Sequence, residues 1–181
     1  KYLTRASDLA PKDAGIAYAL GRGFAKRGMI AFAEQAFRNA LRLRPGQPNA
    51  TSALGQLLVQ EKRPGEAEPY FRSLLGKRGF DLVAELGMGD VARQQERFEE
   101  AVESYKRALA LKPDHALAFE TLIACLGKLG RGSDILQLLN QRLGEHPEQD
   151  RWRVMRARVF EAGGRIGEAI ADWKWLHDKH P

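Results

Sequence analysis

The sequence predicts an all-α fold of stacked helical hairpins, and three observations predict it. Prolines recur at Pro11, Pro45, Pro113, Pro147 and Pro181, spaced by 34 residues or twice 34, with Gly79 in the vacant slot. Small side chains keep the same register: Gly21, Gly55, Gly89 and Ala157 at the eighth place of each period, Ala33, Ala67, Ala101 and Ala169 at the twentieth, with Ile123 and Ile135 as exceptions. Bulky residues do so too: Leu20, Leu54, Met88 and Leu122 at the seventh place, where only Arg156 departs, and Phe37, Phe71, Tyr105, Leu139 and Trp173 at the twenty-fourth. Self-similarity at a fixed period of 20 to 50 residues marks an array whose units bury their apolar faces only against their neighbours.

The period divides the chain into repeats 14–47, 48–81, 82–115, 116–149 and 150–181 after a stub, 1–13, that resembles the tail of a preceding repeat. A small residue within one helix and another early in the next let two helices approach closely, and large residues fill the space beside the contact. The closing proline ends the second helix, because its ring clashes with the preceding turn and biases the residue before it away from helical angles. Taken in order, the first repeat predicts helices at 14–27 and 31–44 around Gly28, and the second at 48–61 and 65–77 around Arg63-Pro64-Gly65. The third predicts 82–95 and 98–111 around Gln95-Glu96-Arg97, and the fourth 116–128 and 132–145 around Gly130-Arg131-Gly132. The fifth predicts 149–162 and 166–179 around Gly163-Gly164-Arg165. Glycine or a polar residue in each reversal suits a tight turn. Pro69 is expected in a first helical turn, where a missing donor is tolerated. With no Pro/Gly/Ser-rich linker, one uninterrupted array over 1–181 is expected, cut from a longer one.

The run Leu20-Gly21, Phe24, Ala33, Phe37, Pro45, echoed in five phased copies, resembles the tetratricopeptide repeat family over nearly the whole chain. The resemblance implies a right-handed α-solenoid, a superhelix of helix-turn-helix repeats with first helices lining a concave face. Departures gather in the fourth repeat, with Ile123, Ile135 and Arg142 at small-residue places, and in the fifth, with Arg156.

Hydrophobic residues make up 44% and charged residues 29% of the 181, a globular composition without a stretch apolar enough to cross a membrane or act as a signal peptide. Compartment is left open between cytoplasm and bacterial periplasm. A single cysteine, Cys125, excludes an internal disulfide framework and reads as a buried, inert thiol. The net charge is +6, and the surplus is densest in 14–47, where Arg22, Lys26, Arg27, Arg38, Arg42 and Arg44 face only Glu34. That pole reads first as a solvated face and second as a means of steering an acidic partner. Nucleic acid is disfavoured, since single-strand binders need exposed aromatics and these occupy core places.

Chemistry is sparse. There is no phosphate-cradling loop, Cys-x-x-Cys, His-Glu-x-x-His or Gly-x-Ser-x-Gly, so no enzyme, cofactor or metal is expected. Glycines in Gly21-Arg22-Gly23 and Gly87-Met88-Gly89 read as close packing. His177 and His180 lack a third ligand, and the imidazoles at His115, His146 and His180 read as helix-end surface groups. Trp175, two residues beyond core Trp173, is expected to meet a further repeat or a partner.

The resemblance places a partner-binding face on the first helices. Its candidates are Tyr18, Arg22, Lys26, Asn49, Gln56, Leu86, Asp90, Leu117, Arg151, Met155 and Arg158. A small, apolar floor with polar edges suits an extended peptide or a partner helix of acidic and apolar character. Two specialised modes of the family fail residue by residue. The slots of its carboxylate clamp hold Tyr18, Arg22, Ala53, Val83 and Gly87, and those of its asparagine ladder hold Ala19, Ala53, Gly87, Thr121 and Met155. The function expected is a non-catalytic protein-interaction scaffold, or alternatively a substrate-recruiting arm of a larger enzyme or polysaccharide-secretion assembly, with self-association through the end faces as a further expectation.

Overall fold

The computed structural model describes residues 12–180. The stub expected as the tail of a preceding repeat lies almost wholly outside the described residues. Among those described, every regular element is an α-helix: α1 (Ala14–Lys26), α2 (Ile30–Leu43), α3 (Pro48–Gln60), α4 (Pro64–Arg72), α5 (Asp81–Gln94), α6 (Phe98–Leu111), α7 (Ala116–Lys128), α8 (Gly132–Glu145), α9 (Asp150–Ala162) and α10 (Ile166–Lys179). They fall into two compact units, the first ending at Leu122 and the second starting at Ile123, inside α7.

In the first unit α1 pairs with α2, α3 with α4 and α5 with α6, while α2 packs on α3 and α4 on α5. The small–large pattern is the reason. A methyl group placed on Gly21 would lie 2.4 Å from the Phe37 ring, one on Gly55 2.9 Å from Phe71, and one on Gly89 2.9 Å from Tyr105. Each aromatic of a second helix therefore rests on the bare backbone of its own first helix. Phe71 also meets the following repeat, because a methyl on Gly87 would stand 2.3 Å from its ring. Ala33, Ala67 and Ala101 are fully buried at these crossings. The core continues through Leu54, Leu57, Leu58, Leu74, Ala84 and Val91.

The turn inside each repeat has one recurrent conformation. Gly28, Lys62, Glu96, Gly130 and Gly164 hold the same place in successive repeats, and all are left-handed, with φ of +71°, +60°, +59°, +68° and +71°. The residue after it carries an arginine in four repeats, clipped to an acid three places on: Arg63 to Glu66 at 2.7 Å, Arg97 to Glu100 at 2.6 Å, Arg131 to Asp134 at 2.6 Å and Arg165 to Glu168 at 2.7 Å. Two of these arginines also reach back one repeat, Arg63 to Glu34 at 2.7 Å and Arg97 to Glu68 at 3.0 Å. Hydrogen bonding from Arg63, with Arg38 second among the lowering influences, holds the Glu34 carboxyl below the usual range. Arg38 thus belongs to a network with Glu34, Glu66 and the Tyr70 hydroxyl, and is not a freely solvated cation of a basic pole.

Helix boundaries follow the sequence expectation closely except in the second repeat. There α4 stops at Arg72 instead of running to 77, and the segment after it proceeds in tight turns, with Leu74 N–H donating to Phe71 O and Lys77 N–H to Leu74 O. This is the repeat without a closing proline. Gly76 and Gly79 take left-handed φ of +75° and +81°, and Asp81 Oδ1 accepts from Gly76 N–H at 2.7 Å. Pro69 is the sixth residue of α4, not a first-turn residue; a proline there removes an internal donor and shortens the run the helix can sustain.

In the second unit α9 packs on both α8 and α10. Ile135, Leu139 and Leu143 are buried on α8, and Ala157, Phe160 and Ala169 on α9 and α10. Arg156, where other repeats carry an apolar residue, is accommodated by charge pairing. Asp172 is 3% exposed and accepts from Arg156 Nη2 at 2.6 Å and Nε at 2.8 Å, while Arg153 lies at 3.4 Å. Asn140 takes a third Arg156 bond at 2.7 Å. Trp173 is half-buried, its indole N–H donating to Glu161. Trp175 lies under the Arg153 guanidinium at 3.8 Å within its own repeat. Cys125 is buried.

These contacts set expected outcomes for thermal or denaturant unfolding. Gly21→Ala and Ala67→Leu are each expected to destabilise by about 1–3 kcal/mol through overpacking, and Leu54→Ala by about 2–5 kcal/mol through a cavity. Gly127→Ala, a helical site with nothing within 4 Å of the added methyl, is expected to stabilise by roughly 0.5–1 kcal/mol. Asp172→Ala is expected to lose about 3 kcal/mol, since it strands two arginines; a loss below about 0.5 kcal/mol would mean water already solvates that cluster.

Candidate functional site

The first unit carries a groove in two adjoining sections. The larger, about 640 Å³, is lined by α3, α5 and α7, with Leu86, Val83 and Leu117 as apolar walls. The smaller, about 270 Å³, lies between α1 and α3 and contains Tyr18 and Arg22. Gln56 and Gln60, one helical turn apart on α3, border both.

Helical spacing puts these side chains on one side of each first helix, and small residues open the space between them. Gly87, Ala118 and Ala53 leave the backbone bare, so that buried Phe71 and Phe37 form part of the floor. Leu117 is 69% exposed, the largest exposure of any large apolar side chain described. Arg22 stands over the Tyr18 ring at 5.9 Å. Asp90, the only carboxylate in the lining among the described residues, is engaged: Tyr105 donates its hydroxyl proton to Oδ1 at 2.8 Å, and Arg93 Nη2 lies 3.4 Å away. Burial, and secondarily the Asp90 charge, pushes the Tyr105 phenol well above its usual range. Gln94 ties α5 to α3 by donating to Val59 O at 2.9 Å. Such a surface offers apolar contact, cations and two amides that no hydrogen bond engages among the described residues.

Tyr18, Arg22 and Gln56 come together in the smaller section, and Gln56, Leu86, Asp90 and Leu117 in the larger. Lys26 and Asn49 are exposed and line neither. Arg151, Met155 and Arg158 lie on α9 in the second unit, the arginines exposed and Met155 half-buried. Sequence reasoning missed Lys62, Phe71, Gln94, Tyr105 and His115 as lining residues. Phe71 and Tyr105 belong to second helices and reach the groove only because Gly87 and Gly89 lack side chains. His115 accepts from Ala118 N–H at 3.2 Å through Nδ1, which makes it a cap at the start of α7 and not a helix C-terminal group. His180 pairs with Asp150 at 2.7 Å, and His146 stands edge-on to Trp152. Among the described residues no group of three or more His, Cys, Asp or Glu is placed to hold a metal ion, and no helix is long and apolar enough to cross a membrane.

Family models described as tetratricopeptide repeat and TPR repeat match residues 18–81 and 89–122. Among curated proteins, a tetratricopeptide repeat-containing protein, trd-1, of Caenorhabditis elegans is 32% identical over 54% of this chain and 13% of its own length. Protein FlbA of Caulobacter vibrioides is 26% identical over 81% of this chain and 25% of its own. Cellulose synthase operon protein C of Pseudomonas fluorescens is 30% identical over 83% of this chain and 12% of its own. The chain thus spans a quarter or less of the curated relatives it matches. Among solved structures, MamA superposes with a TM-score of 0.77 at 18% identity, covering 89% of this chain and 88% of that one. YrrB, a TPR protein with an unusual peptide-binding site, superposes with a TM-score of 0.77 at 17% identity, covering 100% and 93%. Periodic helical hairpins, glycine–aromatic crossings and these matches together establish that the chain belongs to the tetratricopeptide repeat family, whose members serve generally as protein-interaction scaffolds.

Proposed function

We propose that this chain is a non-catalytic scaffold that takes an extended peptide or a partner helix of acidic and apolar character in the groove of its first unit. One observation carries the reading: Leu86 and the 69%-exposed Leu117 wall a section whose border amides, Gln56 and Gln60, make no hydrogen bond among the described residues. Apolar side chains of a guest cover the leucines, and its backbone amides pair with the glutamines, which divides affinity from register in the manner of groove-bound peptides. The cationic lining favours carboxylates in the guest. Tyr18 with Arg22 and Gln56 extends the contact into the smaller section, and Lys26 and Asn49 are proposed as peripheral contacts of the same partner; Arg151, Met155 and Arg158 are proposed as contacts that the second unit makes by itself.

A second reading, in which the array is the recruiting arm of a larger assembly for envelope polysaccharide, is favoured by the similarity to Cellulose synthase operon protein C. It uses the same groove and differs only in the guest.

The paired change Leu86→Glu with Leu117→Glu is expected to abolish capture of the native partner while circular dichroism stays helical. Capture by affinity purification from the source cell, followed by mass spectrometry, reads the outcome. Capture undiminished by the pair would remove this groove from consideration.

A further inference from the structure

Lys62 holds a place that three of the five repeats give to glycine. Its counterparts Gly28, Gly130 and Gly164 adopt the same left-handed φ, and only Lys62 and Glu96 do so with a side chain. A Cβ in that region crowds the adjoining carbonyl, so a lysine there is disfavoured relative to glycine. The turn itself does not call for it. The side chain makes no hydrogen bond or ion pair among the described residues and is exposed, and it lines the larger section of the groove. Glu96 carries the same strain away from the groove, so what sets Lys62 apart is its place in the lining and its charge.

The charges around it give the role. Among the described residues the groove lining contains Arg22, Lys62 and Arg93 against one carboxylate, Asp90. Arg93 is committed to Asp90, and its Nε is buried away from solvent. Arg22 sits over Tyr18 in the smaller section. Lys62 is therefore the uncompensated cation beside the apolar walls of Val83, Leu86 and Leu117.

We propose that Lys62 is the specificity-determining cation of the larger section, selecting guests that place a carboxylate next to a bulky apolar side chain. The inference rests on the groove being the binding site and adds the chemistry of its guest. Glu96 is the internal control: it shares the backbone conformation and lines neither section.

The test uses the full 181-residue chain and two fluorescein-labelled decapeptides, one alternating glutamate with leucine and one alternating lysine with leucine, read by fluorescence anisotropy. The wild type is expected to prefer the glutamate peptide. Lys62→Gly is expected to weaken that peptide about three- to tenfold and to flatten the salt dependence of its binding, whereas Lys62→Arg and Glu96→Gly leave it unchanged. Both glycine variants are expected to raise Tm by about 2–4 °C, since both relieve the same strain. Undiminished affinity of Lys62→Gly for the glutamate peptide, with Leu86→Glu still abolishing it, overturns the role of Lys62 and leaves the groove intact. Failure of Leu86→Glu to weaken either peptide, or no binding of either by the wild type, overturns the underlying reading of the groove.

Discussion

An aromatic ring pressed onto a glycine backbone is the contact on which the first unit depends. Phe71 makes it twice, against Gly55 of its own repeat and Gly87 of the next, with both approaches closer than any Cβ would allow. One side chain thereby fixes the pairing of helices within a repeat and the packing of one repeat on another. Phe37 on Gly21 and Tyr105 on Gly89 repeat the first half of the arrangement. In a fold made only of neighbour contacts, such local contacts carry the stability that a globular domain spreads over one central core.

Charge then sets register where packing alone is permissive. Arg63 and Arg97 each bind an acid in their own repeat and another in the preceding one, so the first three repeats are clipped as well as stacked. Mostly exposed pairs of this sort contribute modestly to stability, and their geometry bears more on alignment. The second unit uses a different solution. Arg156 enters a core position and is balanced by buried Asp172, with Arg153 spanning that carboxylate and the Trp175 ring. A charge removed from water is tolerated where partners of this kind surround it; the pairing leaves one group over, since Arg153 Nε is buried without a hydrogen-bond partner. The groove is the by-product of the same ring–glycine rule: bare backbone at Gly87 and small residues at Ala53 and Ala118 leave room above Phe71, and Leu86, Leu117 and Gln56 border that room.

Much of this was legible because the period aligns like with like. The positions of Gly21, Ala33 and Phe37 and their equivalents declare a close helix crossing before any coordinates are known, and the first-helix residues Leu86, Asp90 and Leu117 follow from helical spacing. Other features were illegible for definite reasons. The early end of α4 arises where Gly79 replaces the closing proline, and a missing stop does not say where the helix ends. The two clips between repeats, Arg63 to Glu34 and Arg97 to Glu68, join residues nearly a full repeat apart, a separation at which charge patterns along one helix carry no information. Lys62 looks like any polar turn residue until its φ is known. Gly87 reads as a close-packing site, and that the ring it seats is Phe71 of the preceding repeat appears only when the rings are placed. Trp175 was expected to reach outward, yet Arg153 holds it within its own repeat, an attraction between cation and ring that spacing does not encode.

A double-mutant cycle between Gly55→Ala and Phe71→Leu, measured by equilibrium denaturation, tests the ring–glycine contact most directly. The added methyl meets the outer atoms of the ring, which leucine lacks. Gly55→Ala is therefore expected to destabilise the wild type and to be nearly neutral beside Leu at position 71, with a coupling energy of about 1–2 kcal/mol. Strict additivity of the two changes, within about 0.5 kcal/mol, would contradict the account.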